Sequence, residues 1–476
     1  MRCLLTMVLS SILLLGATPA WGHVFIQWTA PTVPSAASIG VTEMVIPWGP
    51  GKIQLMKTAK ERGYRVFARV NAADSGTVAD AVAANGLAGI IVEDGSSEPG
   101  HGDMEQLVQK LRGLHPGLAV LILDPGGKQP QIQGNLVIQK NGVLQVSSAT
   151  REPWIDSNVA LARFEQANQP GIARLFSFTW DLAGPVEQKQ GPRAVDYALA
   201  VAEAGANEAG LVLPLHPNLQ KGLAEGDKLA WQEWDRVKTY IRFYSKGGNA
   251  RLKSMADVAV VADDYRDAYE AMNLLARRNI SFRVFRPSDA TEQALSGSQL
   301  AIVFSRIVGP AIEAIRAFAS AGGTVLLIGQ HGPFPWQTIP AVKSSIGTTY
   351  KTGRGEVIES SQPVGDPEAF AEEVRDLLRS QGPLIYLWNG VTTLSSAHRT
   401  PQEAGIVVEL VNYAQEPIQV QVRVKGLFPD IRYETPEHGS YPAVAPEIKN
   451  GFTQFVISHI IVGARVYLNP KTSQQE

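Results

Sequence analysis

Between residues 24 and 215 the chain repeats one pattern: a short apolar run, then a segment with apolar residues at helical spacing. The apolar runs fall at 24–28, 41–47, 64–70, 87–93, 118–124, 142–147, 173–181 and 208–215. Helical spacing covers 52–62, 77–85, 103–114, 155–167, 193–204 and 230–244. Eight strands with helices between them predict an α/β fold, a (β/α)8 TIM-like barrel over residues 23–248. A doubly wound open sheet satisfies the same alternation. One stretch departs from it. Between Asp124 and Gly142 there is no helical spacing, and 136–146 reads as a hairpin around Asn141-Gly142.

The run from Leu87 to Val92 ends in two carboxylates and a glycine, Glu93-Asp94-Gly95. A continuous apolar run is the mark of a strand buried on both faces, and its C-terminal end is where barrels and open α/β sheets hold their chemistry. Side chains alternate along a strand, so only one of Glu93 and Asp94 points to the barrel axis. By the same rule Ser177, Thr179 and Asp181 share the inward face of 173–181, while Phe176, Phe178 and Trp180 share the outward one. Gln27, Arg69, Asn71, Asp124 and His216 also fall near strand ends. In 151–158 an arginine, two acids and Trp154 converge on a helix start. Asp156 there is either a hydroxyl ligand or a helix N-cap. Trp48, Trp154 and Trp180 near one rim favour a carbohydrate cleft, because aromatic faces pack on sugar rings while acids and amides bind hydroxyls.

Residues 1–22 have the form of an export signal: a basic start at Arg2, an apolar stretch to Leu15, and small residues at Ala20 and Gly22. Cleavage after Gly22 predicts a periplasmic or extracellular protein with no integral membrane span. The single cysteine, Cys3, lies inside that segment, so the mature protein is expected to hold no disulfide and no thiolate ligand. The histidines show no metal-ligand spacing, and the Gly-rich phosphate-binding patterns are missing, so neither a metal nor a cofactor is expected. A formal net charge of −2 on 476 residues gives no reason to expect nucleic acid.

From 252 to 382 strands and helices alternate again, as in a flavodoxin-like three-layer unit. From 383 to 470 short alternating strands separated by turn residues predict a β-sandwich. The order barrel, three-layer unit, sandwich resembles the beta-galactosidases whose middle unit is a trimerisation domain, itself similar to class I glutamine amidotransferases without their catalysis. Residues 257–285, 299–329 and Val407-Val408-Glu409-Leu410-Val411-Asn412-Tyr413 carry the resemblance. It implies a clan A type glycoside hydrolase barrel and self-association through the middle unit. Such glycosidases end strand 4 in Asn-Glu and strand 7 in Glu; here the corresponding ends are Val92-Glu93 and Trp180-Asp181. The strand 301–304 runs into Ser305-Arg306 where an amidotransferase would carry its cysteine, so no glutamine hydrolysis is expected.

Two functions follow. The first is a glycoside hydrolase with Glu93 (or Asp94) and Asp181 as the paired carboxylates, and Asp124 in reserve. Trp154, Asp156, Trp180, Arg69, Asn71 and His216 are then the candidate sugar-binding residues. The second is a non-catalytic carbohydrate-binding or envelope scaffold protein that kept the barrel and lost the pair.

Overall fold

A computed structural model describes residues 24–93, 102–133, 137–140, 143–146, 154–168, 174–182, 184–246, 252–330, 332–338, 340–344, 346–360, 363–378, 382–400, 405–414 and 416–470. The Asn141-Gly142 turn and Asp94 lie outside these residues. The chain begins with β1 (Val24–Gln27), β2 (Glu43–Pro47), β3 (Arg65–Asn71), β4 (Gly89–Glu93) and β5 (Ala119–Gly127). Four short strands follow: β6 (Gln131–Gln133), β7 (Val137–Lys140), β8 (Val143–Val146) and β9 (Trp154–Asp156). Then come β10 (Arg174–Phe178) and β11 (Gly210–Pro214). Strands β1–β5, β10 and β11 close into a parallel barrel in the order β1-β11-β10-β5-β4-β3-β2.

Among the described residues the barrel wall therefore has seven strands, not the eight that the alternation predicts. The sixth apolar run does not enter the wall. Its strand β8 pairs antiparallel with β7, and β6 pairs antiparallel with β9. Strands β7 and β8 are neighbours in sequence, so their pairing costs little loop-closure entropy compared with a crossover into a parallel wall. Strand β5 pairs directly with β10 instead, with a register shift between Phe176 and Phe178.

The barrel interior is filled by Phe25, Val45, Phe67, Ile91, Leu121, Leu123, Leu175 and Val212, at least one from every wall strand. Alternate residues such as Ile26, Ile46, Ala68, Ile90, Ile122, Phe176 and Leu213 pack outward into the layer between wall and helices. Such apolar runs read as double-faced strands because both faces are dry. The helices of this part are α1 (Ala36–Ile39), α2 (Lys52–Glu61), α3 (Ser75–Ala84), α4 (Gly102–Leu114), α5 (Val159–Asn168), α6 (Pro185–Gln190), α7 (Ala194–Ala206), α8 (Pro217–Glu225) and α9 (Lys228–Ser245).

Strand β12 (Lys253–Met255) opens the rest of the chain. A seven-stranded mixed sheet follows from β13 (Val258–Val261), β14 (Phe282–Phe285), β15 (Leu300–Val303), β16 (Thr324–Ile328), β17 (Ala341–Lys343), β18 (Thr348–Thr352) and β19 (Gly355–Ser360). Its order is β14-β13-β15-β16-β19-β18-β17, with the first five strands parallel. Four helices accompany it: α10 (Tyr265–Arg277), α11 (Glu292–Leu295), α12 (Pro310–Ser320) and α13 (Pro367–Leu378). Met272 of α10 and Val374 of α13 pack in one apolar layer, Ile315 and Phe318 of α12 in another. Phe164 of α5 belongs to the first of these layers, so the barrel and the mixed sheet share a core.

The last strands are β20 (Ile385–Trp388), β21 (Thr393–Arg399), β22 (Ile406–Asn412), β23 (Ile418–Lys425), β24 (Asp430–Thr435), β25 (Gly439–Pro442), β26 (Val444–Lys449), β27 (Phe452–Ile460) and β28 (Gly463–Asn469). They form a six-stranded sheet that includes β12, and a four-stranded sheet β20-β23-β27-β26. Val420, Val422 and Val424 alternate with polar residues and are fully buried in the core the two sheets share. Each contributes about 1.5–3 kcal/mol of burial. Leu394, Val411 and Tyr413 join the barrel's outer layer, so this part is docked on the barrel as well. No helix among the described residues is long and apolar enough to cross a membrane.

Candidate functional site at the barrel mouth

Phe25, Phe67 and Ile91 face the barrel interior. Two residues further along the same strands, on the same face, stand Gln27, Arg69 and Glu93. The period-2 pleat thus aims three polar side chains at the axis just above the last apolar layer. They are bonded to one another. The Arg69 Nε donates to a Glu93 carboxylate oxygen, and Arg69 Nη1 donates to Gln27 Oε1 at 2.6 Å. Gln27 is two strands away from Arg69 in the wall; the strand between them, β2, offers Pro47 in register with Arg69. Proline brings no side-chain donor or acceptor, so the guanidinium passes over it. The Arg69 and Glu93 side chains are 21% and 23% exposed, so the pair is half-buried and still open to solvent. Of the two carboxylates at the end of β4, Glu93 is the one on the face of Ile91.

Asn71 is exposed at the end of β3, opposite Glu93 in register. Trp180 braces the rim rather than lying open. Its Nε1 donates to the Pro214 carbonyl at 2.6 Å, and its ring meets those of Phe178 and Tyr197 edge-on at 4.8 and 4.9 Å. Strand β10 ends at Phe178, so Asp181 stands beyond the wall; it is exposed, and its backbone N–H donates to Gln129 Oε1 at 2.7 Å. His216 is the N-cap of α8: its Nδ1 accepts from the Asn218 N–H, and its own N–H donates to the Tyr197 hydroxyl at 3.0 Å. The spacing of these residues did not reveal Gln220, which is buried and accepts from the N–H groups of Thr29 and Ala30, clamping the loop after β1.

Asp124, Trp154 and Asp156 are brought to a different place. Asp124 is 8% exposed, shares the outward face of Ile122, and accepts from the Gly126 N–H at 2.7 Å. Its charge raises the pKa of Tyr265 on α10, where burial is the main cause. The Arg277 guanidinium of α10 lies 3.2 Å from the Trp154 ring centroid and donates through Nε to the Ile155 carbonyl at 2.8 Å. One face of that indole is therefore occupied. Asp156 is buried on β9, paired with Gln131; burial lowers the pKa of Arg277, and the charge of Asp156 partly offsets this. Asp156 is a strand residue here and not the helix cap that its spacing also allowed. Asp94 lies outside the described residues.

A second polar cluster was missed from sequence. Glu203 on α7 is buried and accepts from Asn158 Nδ2 at 2.6 Å and from the hydroxyl of Tyr413, the residue after β22. Burial drives its carboxyl up to about 7, against the lowering effect of those hydrogen bonds. Asn158 also pins the end of β5, accepting from the Lys128 N–H at 2.7 Å and donating to the Lys128 carbonyl at 2.8 Å. The signal was in the sequence: α7 is apolar nearly all round, so the acid inside it has to be buried and bonded.

No family model matches the chain, and no curated protein matches it. Solved structures do. The alpha-L-fucosidase isoenzyme 2 from Paenibacillus thiaminolyticus aligns with a TM-score of 0.58 at 13% identity, over 94% of this chain and 99% of that one. A beta-galactosidase from Rahnella sp. R3 aligns with a TM-score of 0.56 at 11% identity, over 91% and 95%. At such identities the likeness is one of fold: a glycoside hydrolase-like closed barrel followed by further sheets.

Proposed function

We propose that the protein is an exported carbohydrate-active protein of the glycoside hydrolase type, with its glycan site at the C-terminal mouth of the barrel. The observation that carries the reading is the bonded array Gln27–Arg69–Glu93, three inward side chains from three wall strands. That end of a parallel barrel is where barrel enzymes hold their chemistry. Glu93, beside the Arg69 cation, suits the carboxylate that acts while negatively charged, as nucleophile or as base toward water. Asp181 is the partner acid that protonates the leaving glycosidic oxygen. Asn71 and Gln27 supply amide groups for sugar hydroxyls. The same reading has export with cleavage after Gly22 and a periplasmic or extracellular location. It also takes the mixed sheet as a flavodoxin-like, amidotransferase-like unit used for self-association, and the two antiparallel sheets as a β-sandwich.

A non-catalytic glycan binder is the second reading, favoured by the engagement of Glu93 with Arg69. A panel of aryl glycosides and a glycan array, run on wild type, Glu93→Gln and Asp181→Asn, separates the two. Hydrolysis predicts that each variant loses roughly 10²–10⁴-fold in turnover. Binding without catalysis predicts no turnover in wild type and altered affinity only in the Glu93 variant. Turnover unaffected by both substitutions removes the pair.

A further inference from the structure

A cleft of about 830 Å³ runs along the seam between the mixed sheet and the two antiparallel sheets. Four cations line it: Lys253 on β12, Arg283 on β14, Arg399 on β21 and Lys425 on β23. Among the described residues none of the four is ion-paired. Lys253 and Arg399 stand directly opposite one another in the antiparallel β12–β21 register. Like charges directly opposite across a strand pair destabilise it unless a counter-charge intervenes. The single carboxylate in the lining, Asp257, is buried and already accepts from the Leu384 N–H, Ser281 Oγ and Gln299 Nε2. Among the described residues, four positive charges against one negative give the cleft lining +3, on a chain whose net charge is −2. The walls also hold buried donors with no partner among the described residues: Arg283 Nε and Ser298 Oγ. A buried donor without an acceptor is costly, and an anion in the cleft relieves it.

We propose that this cleft binds an acidic glycan, its carboxylate or sulfate groups seated between Lys253, Arg399, Arg283 and Lys425. The choice of a glycan rests on the carbohydrate reading above; the anion site does not. A volume of about 830 Å³ accommodates several sugar units, and the cations come from four strands, so a ligand with repeated charges is matched better than a single oxyanion. The neutral lining residues Ser254, Thr291, Gln293 and Ser296 are hydroxyl and amide groups suited to sugar hydroxyls. A nucleic acid is matched less well, because stacking needs an open aromatic face. The aromatic side chain in the lining, Phe285, carries the Arg283 guanidinium at 5.1 Å over its ring.

The test is binding of full-length mature protein to oligogalacturonate, dextran sulfate, neutral dextran, inorganic sulfate and a single-stranded oligonucleotide, at low and high salt. The expected result is salt-sensitive binding of one or both acidic glycans and none of neutral dextran. Lys253→Gln combined with Arg399→Gln should weaken it roughly 30-fold, as expected for two cations facing an anionic array. Glu93→Gln should leave it unchanged. In the absence of any ligand, Lys253→Gln alone should raise the melting midpoint by about 1–2 °C by removing the opposed like charge. Equal affinity of wild type and the double variant overturns the site. An oligonucleotide bound as tightly as the glycans, or full competition by inorganic sulfate at equal concentration, overturns the glycan assignment. Loss of acidic-glycan binding in Glu93→Gln places the site at the barrel mouth and also overturns it. If barrel turnover stands while acidic glycans do not bind, only this inference fails. If acidic glycans bind at the cleft while the barrel is inert, only the hydrolase reading fails.

Discussion

Replacing Glu203 by glutamine should change how stability depends on pH. The Glu203 carboxyl sits at about 7 in the folded chain, against an ordinary value of 4.5. Between those limits the unfolded chain has released its proton and the folded chain has not. The unfolded state then binds fewer protons, so stability falls as pH rises from 4.5 to 7 and is level above 7. A gap of 2.5 units at about 1.4 kcal/mol per unit gives a loss of about 3 kcal/mol across that window. Glutamine mimics the protonated acid. Its carbonyl accepts from Asn158 Nδ2 and its amide donates to the Tyr413 oxygen, so the variant should fold. His398 has the opposite sign. Burial, with Arg163 adding to it, lowers its pKa to about 3 from 6.5, so its contribution is complete above 6.5 and is lost as pH falls toward 3. In wild type the two effects oppose each other between pH 4.5 and 6.5 and flatten the profile. Glu203→Gln should unmask the histidine, and the variant should gain about 3 kcal/mol relative to wild type between pH 4.5 and 7. Urea unfolding at half-unit pH intervals on both proteins reads this directly. Parallel profiles would refute the burial of an uncharged Glu203.

His398→Gln should remove the acid limb of the same profile, so that the stability of the variant relative to wild type rises as pH falls from 6.5 toward 3. Trp154→Ala should lower stability by about 1–2 kcal/mol through the lost Arg277 contact, and leave glycan affinity at the barrel mouth unchanged; a binding loss on a glycan array would return Trp154 to the sugar site. Glu93→Gln should cost under about 2 kcal/mol in urea unfolding, because its amide oxygen still accepts from Arg69. Purified protein should not hydrolyse glutamine, since Ser305 is buried and exchanges hydrogen bonds with Asp263 instead of facing an aligned base.

The wall strands were legible because a strand with two dry faces writes itself as a continuous apolar run. The face of each side chain was legible too, because the pleat has a period of two: Leu175 and Ser177 do share the inward side, and Phe176 and Phe178 the outward one. The strand count was not. An apolar run of six residues suits a barrel wall or one arm of a hairpin equally, and only the Asn-Gly dipeptide beside it favoured the hairpin. Contacts made across long sequence separations were hidden altogether. Nothing near Trp154 announces that Arg277 will lie on its ring, and nothing near Lys253 announces Arg399 opposite.

The candidate site divides along the same line. Glu93, Arg69 and Gln27 could be grouped from sequence because each ends a strand whose inward parity is fixed by the apolar residues before it. Asp124 and Asp156 fail the same parity or lie in the antiparallel excursion, and both turn toward α10. Asp181 escapes the rule, since two residues separate it from Phe178, the last paired residue of β10, and the wall no longer dictates its direction. The acid role proposed for Asp181 therefore depends on a loop whose Asp181 N–H donates to Gln129, whereas Glu93 is fixed by a strand and by a guanidinium bonded at two points. A mouth built in this way has one carboxylate set by a wall strand and one carried by a loop beyond the wall. On the proposed reading the barrel wall sets one carboxylate of the pair, and the loop after β10 has to bring the other to it.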